Sequence, residues 1–213
     1  MKDSYLQKGK RRKLVEGIRK KGISDERVLK AMEELPRHFF MAKDFESWAY
    51  EDKAFPIGND QTISQPYTVA YQTALLEVQP REKILEIGTG SGYQASILSL
   101  LGGRVYTIER QKELYDKARK LFKKLGFGGI RVFYKDGYLG LPEFAPFDKI
   151  LVTAGASEIP RDLLKQLTIG GRMVIPVGKE VQTMYCITRL GEENFEEKAF
   201  ADFRFVPFLK GIN

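Results

Sequence analysis

Leu85-Glu86-Ile87-Gly88-Thr89-Gly90-Ser91-Gly92-Tyr93 is the stretch around which the chain is organised. A short apolar run leads into it and a helical pattern leaves it, so it reads as strand, glycine turn and helix start. Glycine lets backbone N–H groups approach a ligand closely, at a helix N-terminus whose partial positive charge favours anions. A turn of this kind points to a nucleoside-containing cofactor.

From Glu82 onward, strands and helices alternate. Strands are expected over 84–87, 105–108, 130–134, 148–153 and 172–177. Helices are expected over 93–101, from after Glu109 to about 125, and over 160–167. Two more β-rich stretches, 181–189 and 198–208, follow. The pattern predicts an α/β fold with a doubly wound, mostly parallel, seven-stranded Rossmann-like sheet. Helices should cover both faces, with an antiparallel addition at the C-terminal end. Upstream, helices are expected over 4–20 and 25–35, the second capped by Ser24 or Asp25 and ended by Pro36. Pro56, Gly58 and Asn59-Asp60 mark a loop, and Ser64 is an N-cap candidate for a helix with Pro66 in its first turn.

The 213 residues, 43% hydrophobic and 30% charged, fit one ordered domain with a sizeable core. No apolar run approaches the roughly 20 residues of a spanning helix, and the N-terminus lacks the apolar core of a signal peptide. The one cysteine, Cys186, rules out an internal disulfide. A cytoplasmic location and no membrane partner are therefore expected. The net charge of +7 raises the question of nucleic acid. The charges are spread, however, and the densest run, Lys8-Gly9-Lys10-Arg11-Arg12-Lys13, reads as the solvated face of a helix, so no nucleic-acid partner is expected. The sole histidine, His38, has no cysteine or carboxylate cluster beside it, so no metal site is expected. Phe39, Phe40, Phe45, Trp48 and Tyr50 read as a packing layer. Scarce asparagine with abundant Lys, Arg and Glu leans toward a heat-adapted source.

In such a sheet, ligands bind beyond the carboxyl ends of the strands. Glu109 lies 21 residues past Gly88 and ends a strand, where a carboxylate can accept hydrogen bonds from both hydroxyls of a ribose. Asp136 ends the next strand, within reach of an adenine. A dinucleotide fingerprint wants G-x-G-x-x-G; here the glycines read G-x-G-x-G and Tyr93 follows. With Glu86 two residues before the first glycine, the order resembles the S-adenosylmethionine site of class I methyltransferases. There a compact cationic ligand replaces a pyrophosphate, and a nearby carboxylate such as Glu86 is compatible with it. A dehydrogenase or a non-enzymatic binding module could keep the same turn.

The acceptor is narrowed by what is missing. Enzymes that methylate an exocyclic base amine carry Asn/Asp-Pro-Pro-aromatic after the fourth strand; here Val152-Thr153-Ala154-Gly155-Ala156 stands there. Cys186 sits in a late strand, against a covalent cytosine mechanism. An acceptor that needs little activation remains.

The chain resembles the protein-L-isoaspartate O-methyltransferases. The resemblance is carried by Pro36-Arg37 with Phe39-Phe40, Ala54-Phe55-Pro56-Ile57-Gly58, Gln61-Thr62-Ile63-Ser64-Gln65-Pro66-Tyr67, the glycine turn, Asp136-Gly137, Gly170-Gly171 and Phe205-Val206-Pro207-Phe208. The Thr-Ile-Ser-Gln-Pro-Tyr element is far more specific than the glycine turn. Asn59-Asp60 and Lys135 depart from the family pattern. The resemblance implies methyl transfer from S-adenosylmethionine, leaving S-adenosylhomocysteine, to the α-carboxylate of isoaspartyl residues in damaged proteins and peptides. It implies that Ser64 orients the acceptor, that Thr62, Ile63, Gln65 and Val206 line the peptide side, and that Glu86, Gly88, Gly90, Ser91, Gly92, Glu109, Arg110, Asp136 and Gly137 hold the cofactor. It further implies a single methyltransferase domain over 1–213, with 1–78 as helical cap and substrate loop and 79–213 as sheet core and C-terminal strands. A monomer is expected. An RNA or small-molecule methyltransferase is the alternative.

Overall fold

A computed structural model describes residues 2–213. Seven strands form the main sheet: β3 (Lys83–Ile87), β4 (Arg104–Glu109), β5 (Arg131–Tyr134), β6 (Phe147–Val152), β7 (Leu167–Val177), β8 (Gln182–Arg189) and β9 (Phe195–Phe203). Their order is β5-β4-β3-β6-β7-β8-β9, with β3 to β7 parallel. β8 pairs antiparallel with both β7 and β9. The C-terminal addition is therefore a two-strand meander, and β8 alone runs against the other six.

The central strands are buried on both faces, which is why 84–87 is apolar but for Glu86 and 150–152 is apolar throughout. Leu85 and Ile87 face one side with Phe147, Ile150 and Val152. Ile84 faces the other with Leu98, Val105 and Phe122. Helices α3 (Pro66–Leu76), α4 (Tyr93–Leu100) and α5 (Lys112–Leu125) cover the second face. In α5, Leu114, Ala118 and Phe122 recur every four residues and are buried, while its lysines face water. Burying a side chain such as Phe122 contributes roughly 1.5–3 kcal/mol.

The first face departs from expectation. The helix expected over 160–167 is only one turn, α6 (Arg161–Leu164), because Leu167 already pairs with Phe147 and opens β7. Short 3-10 turns, Gly137–Leu139 and Pro142–Phe144, complete that cover.

In the N-terminal part, α1 (Tyr5–Lys20) starts in a capping box of Ser4 and Gln7, and α2 (Glu26–Glu34) is capped by Asp25. Within the basic run of α1, Arg11 is buried rather than solvated. It pairs with Asp3 at 2.9 Å and donates to the Tyr50 hydroxyl. His38 is buried with its Nδ1 2.6 Å from that same hydroxyl. The segment read as a loop is a hairpin of β1 (Phe55–Gly58) and β2 (Gln61–Ile63). Asn59 and Asp60 turn it with φ of 53° and 55°, the left-handed pair that a tight hairpin requires and that Asn and Asp tolerate.

Candidate active site

β3 lies at the switch point of the sheet, with β4 on one side and β6 on the other. The turn 88–92 leaves its carboxyl end, and Gly88, Gly90 and Gly92 all have positive φ. Two of these glycines also answer to packing. A Cβ on Gly88 would lie 2.5 Å from Thr153 Oγ1, and one on Gly92 would lie 2.7 Å from the Phe122 ring. Gly92 is thus the close contact between α4 and α5.

A cleft opens above this turn. Gly88, Gly90, Ser91, Glu109, Arg110 and Gly137 line one side. Thr62, Ile63, Ser64 and Val206 line the other. Five segments distant in sequence therefore converge: the turn after β3, the end of β4, the turn after β5, the hairpin leading to α3, and the segment after β9.

Glu109 is 5% exposed at the end of β4. Its Oε2 accepts from the Gly90 amide at 2.8 Å and its Oε1 from the Gln111 amide at 2.9 Å. Burial raises its pKa, and these amides oppose the rise. Each carboxylate oxygen keeps a further lone pair for a hydroxyl of a ligand.

Glu86 and Asp136 do not line the cleft. Glu86 pairs in register with Thr107 on β4 and takes that residue's hydroxyl on Oε2. Thr107 in turn lies 2.7 Å from the Thr89 hydroxyl. Glu86 Oε1 has no partner, and the side chain is fully enclosed behind the turn. Burial pushes it up to about 8, so at neutral pH it is a carboxylic acid rather than the counter-charge its position implied. Asp136 is occupied by backbone, with Oδ1 taking the Tyr138 amide at 2.9 Å and Oδ2 the Gly211 amide at 2.7 Å. Its neighbour Gly137 reaches the cleft instead.

Ser64 is not the helix cap. Gln65 holds the N-cap position without a side-chain bond, and the Tyr67 amide is satisfied by Asp52 Oδ1 at 2.8 Å. This leaves the half-buried Ser64 hydroxyl clear of capping. The backbone of Ser64 is fixed from below. Fully buried Arg37 donates to Ser64 O at 3.1 Å, Lys53 O at 3.2 Å and Ala49 O at 2.8 Å. Burial lowers its pKa to about 10, so it stays cationic at neutral pH.

A second cleft continues outward past Ser64. It shares Thr62, Ser64, Thr153 and Val206 with the first and adds Gln65, Tyr67, Phe203 and Arg204. Val206 is placed by the segment after β9, which crosses back to Gly155. Gly155 donates to Val206 O and accepts from the Phe208 amide, both at 2.8 Å. Thr89, within the glycine turn, and Thr153, at the end of β6, also line the first cleft, as do Gln94 and Leu209, which carry no sequence signal of their own.

A family model described as protein-L-isoaspartate(D-aspartate) O-methyltransferase matches residues 9–213. The chain belongs to this family. A protein-L-isoaspartate O-methyltransferase from Christiangramia forsetii is 57% identical over 213 residues, covering all of both chains. One from Dictyoglomus thermophilum is 49% identical, over 95% of this chain and 91% of its own. Among solved structures, a Plasmodium falciparum protein described as a member of the same family, in complex with S-adenosyl-L-homocysteine, superposes with a TM-score of 0.84 at 25% identity. That match covers 94% of this chain and 99% of the other. The mostly parallel seven-stranded sheet with antiparallel C-terminal strands matches the fold of the family.

The cleft fits an S-adenosyl ligand on its own chemistry. Its turn has left-handed glycines where a Cβ would intrude, and a buried carboxylate faces it from the adjoining strand end.

Proposed function

We propose that the first cleft holds S-adenosylmethionine along Gly88, Gly90, Ser91, Glu109, Arg110 and Gly137, and that Ser64 holds the carboxylate that receives the methyl group. The enzyme is a protein-L-isoaspartate O-methyltransferase acting on damaged proteins and peptides. The observation that carries the assignment of roles is the position of Ser64, Thr62 and Val206 on the wall shared by both clefts. One cleft has a carboxylate suited to a ribose. The other opens outward between Gln65, Tyr67 and Phe203.

The cofactor supplies an activated methyl group on a sulfonium. The protein's part is to hold the acceptor. A peptide α-carboxylate has a pKa near 3.5, so it is already an anionic nucleophile and needs no general base. The Ser64 hydroxyl donates to one carboxylate oxygen and leaves the other aimed along the shared wall. Ser64 is not itself a nucleophile: the one histidine, His38, is buried against Tyr50 and serves the packing of α1. Arg37 keeps the Ser64 backbone from shifting, which preserves in-line approach at contact distances of roughly 3 Å. Glu86 and Gly92 act from behind, as support for the turn. Asp136 anchors Gly211 and so the outer wall.

The methyl ester is a better electrophile than the carboxylate it replaces, because methanol can leave its carbonyl. The neighbouring backbone nitrogen attacks it, methanol leaves and a succinimide forms; water then opens the ring in part to normal aspartate. We further propose that the enzyme is a cytoplasmic monomer whose partners are isoaspartyl-containing polypeptides rather than nucleic acid. Among the described residues no helix is long and apolar enough to cross a membrane.

The test uses methyl-labelled cofactor and two peptides that differ only in aspartyl against isoaspartyl linkage. Label should enter the isoaspartyl peptide alone. Equal labelling of both, or of neither, overturns the reading.

A further inference from the structure

Gln94 lies in the first turn of α4, directly after the glycine turn, and is 8% exposed. It lines the first cleft. Its Nε2 donates to Thr73 Oγ1 at 2.9 Å, and Thr73 Oγ1 donates to Val69 O at 2.7 Å. Because the Thr73 proton is committed to Val69, Thr73 can only accept from Gln94. That fixes the amide: the NH2 group is turned to α3 and the carbonyl oxygen away from it. Gln94 Oε1 then has no partner. A buried acceptor left unpaired is destabilising, so an arrangement that orients it and leaves it empty implies a donor arriving from elsewhere.

We propose that Gln94 is a cofactor-binding residue whose Oε1 accepts a hydrogen bond from the α-ammonium of the cofactor's amino-acid head. This rests on the S-adenosyl reading of the cleft. Three observations select the ammonium from the donors such a ligand carries. Glu109 is the one carboxylate among the described residues lining the cleft, and it stands at the end of β4 with Gly137 beyond it in the turn that follows β5, the side that suits ribose and adenine. Gln94 is tied instead to Val69 and Thr73 of α3, the helix that begins two residues after Ser64. The ligand group that reaches the Ser64 end is the one bearing the amino acid. Glu86, the acid nearest the turn in sequence, is enclosed behind it and does not line the cleft. A neutral amide oxygen also suits a ligand whose sulfonium and ammonium are both cationic: it orients without holding the product.

The inference is tested by calorimetric binding of two ligands, S-adenosylhomocysteine and 5′-methylthioadenosine, which lacks the amino-acid head. In Gln94→Leu, affinity for S-adenosylhomocysteine should fall about tenfold or more while that for methylthioadenosine stays within about twofold. No loss, or an equal loss for both, overturns the inference. Should Gln94→Leu fail to fold, Gln94→Glu decides. With no donor left at position 94, the Thr73 hydroxyl can swing its proton from Val69 O to the new carboxylate, which still accepts from an ammonium, so S-adenosylhomocysteine should bind at least as tightly as to the parent. Weaker binding overturns the inference. If the parent enzyme binds neither ligand, the cofactor reading itself fails, a result distinct from either of these.

Discussion

Glu109 accepts the Gly90 amide at 2.8 Å, so the end of β4 is fastened to the turn that follows β3. One carboxylate thus shapes the turn and lines the cleft. Glu109→Ala should weaken S-adenosylhomocysteine binding by on the order of tenfold to a hundredfold, through lost ribose contacts and a loosened turn. Glu109→Gln should lose less, because the amide oxygen can still accept one of the two backbone amides. Titration calorimetry of both variants measures this; equal losses would show that the side chain acts only by its charge.

Ser64→Ala should leave S-adenosylhomocysteine affinity nearly unchanged and lower turnover on isoaspartyl peptide by about a hundredfold, the scale of one lost donor at a reacting oxygen. Steady-state kinetics paired with calorimetry separates the two effects. A large fall in cofactor affinity with turnover unaffected at saturation would reassign Ser64 to the cofactor.

Arg37 joins Ala49, Lys53 and Ser64 through their carbonyls. Arg37→Met strands those carbonyls and should cost about 3 kcal/mol of stability. Arg37→Lys can reach fewer of them and should fold better while still turning over slowly, because Ser64 is no longer fixed. Urea unfolding and peptide kinetics on the same preparations check both parts.

Glu86 carries a folded-state pKa of about 8 against an ordinary value of 4.5. Between those values the native state holds a proton that the unfolded chain has lost, so stability falls as pH rises through the window. Glu86→Gln keeps an acceptor for Thr107 and cannot ionise. Its melting temperature should match the parent near pH 5 and exceed it increasingly toward pH 9. A gap that is constant across that range would show that Glu86 does not titrate there.

The parallel half of the sheet was legible because buried strands and amphipathic helices alternate with glycine stops between them. The last part was less so. Residues 160–167 look helical, yet pairing of Leu167 with Phe147 takes them into β7 after one turn. The hairpin at 55–63 was hidden because Asn59-Asp60 supplies its turn where a glycine would have announced it. At the site, spacing found Glu109 but could not tell a carboxylate that faces a ligand from ones facing their own backbone or neighbours. Asp136 shares Glu109's strand-end logic and Glu86 stands two residues before the glycine turn, and only the three-dimensional contacts with Thr107, Tyr138 and Gly211 separate them from Glu109. Gln94 was silent because a neutral amide in a helical first turn has no pattern, and its meaning comes from Thr73, 21 residues away.

The crossing that places Val206 has little slack. Chain leaves β9 at Phe203 and reaches Gly155, beyond β6, by Pro207. β6 and β9 are three places apart in the sheet, a span of on the order of 14 Å at the usual strand spacing. The four residues from Phe203 to Pro207 extend at most about 14 Å. The segment behaves as a taut tether whose length gauges the width of the peptide cleft. One added residue between Phe203 and Val206 would let that wall sag without touching any residue of the chemistry, so in this fold substrate tolerance can drift by changes in length as readily as by changes in side chains.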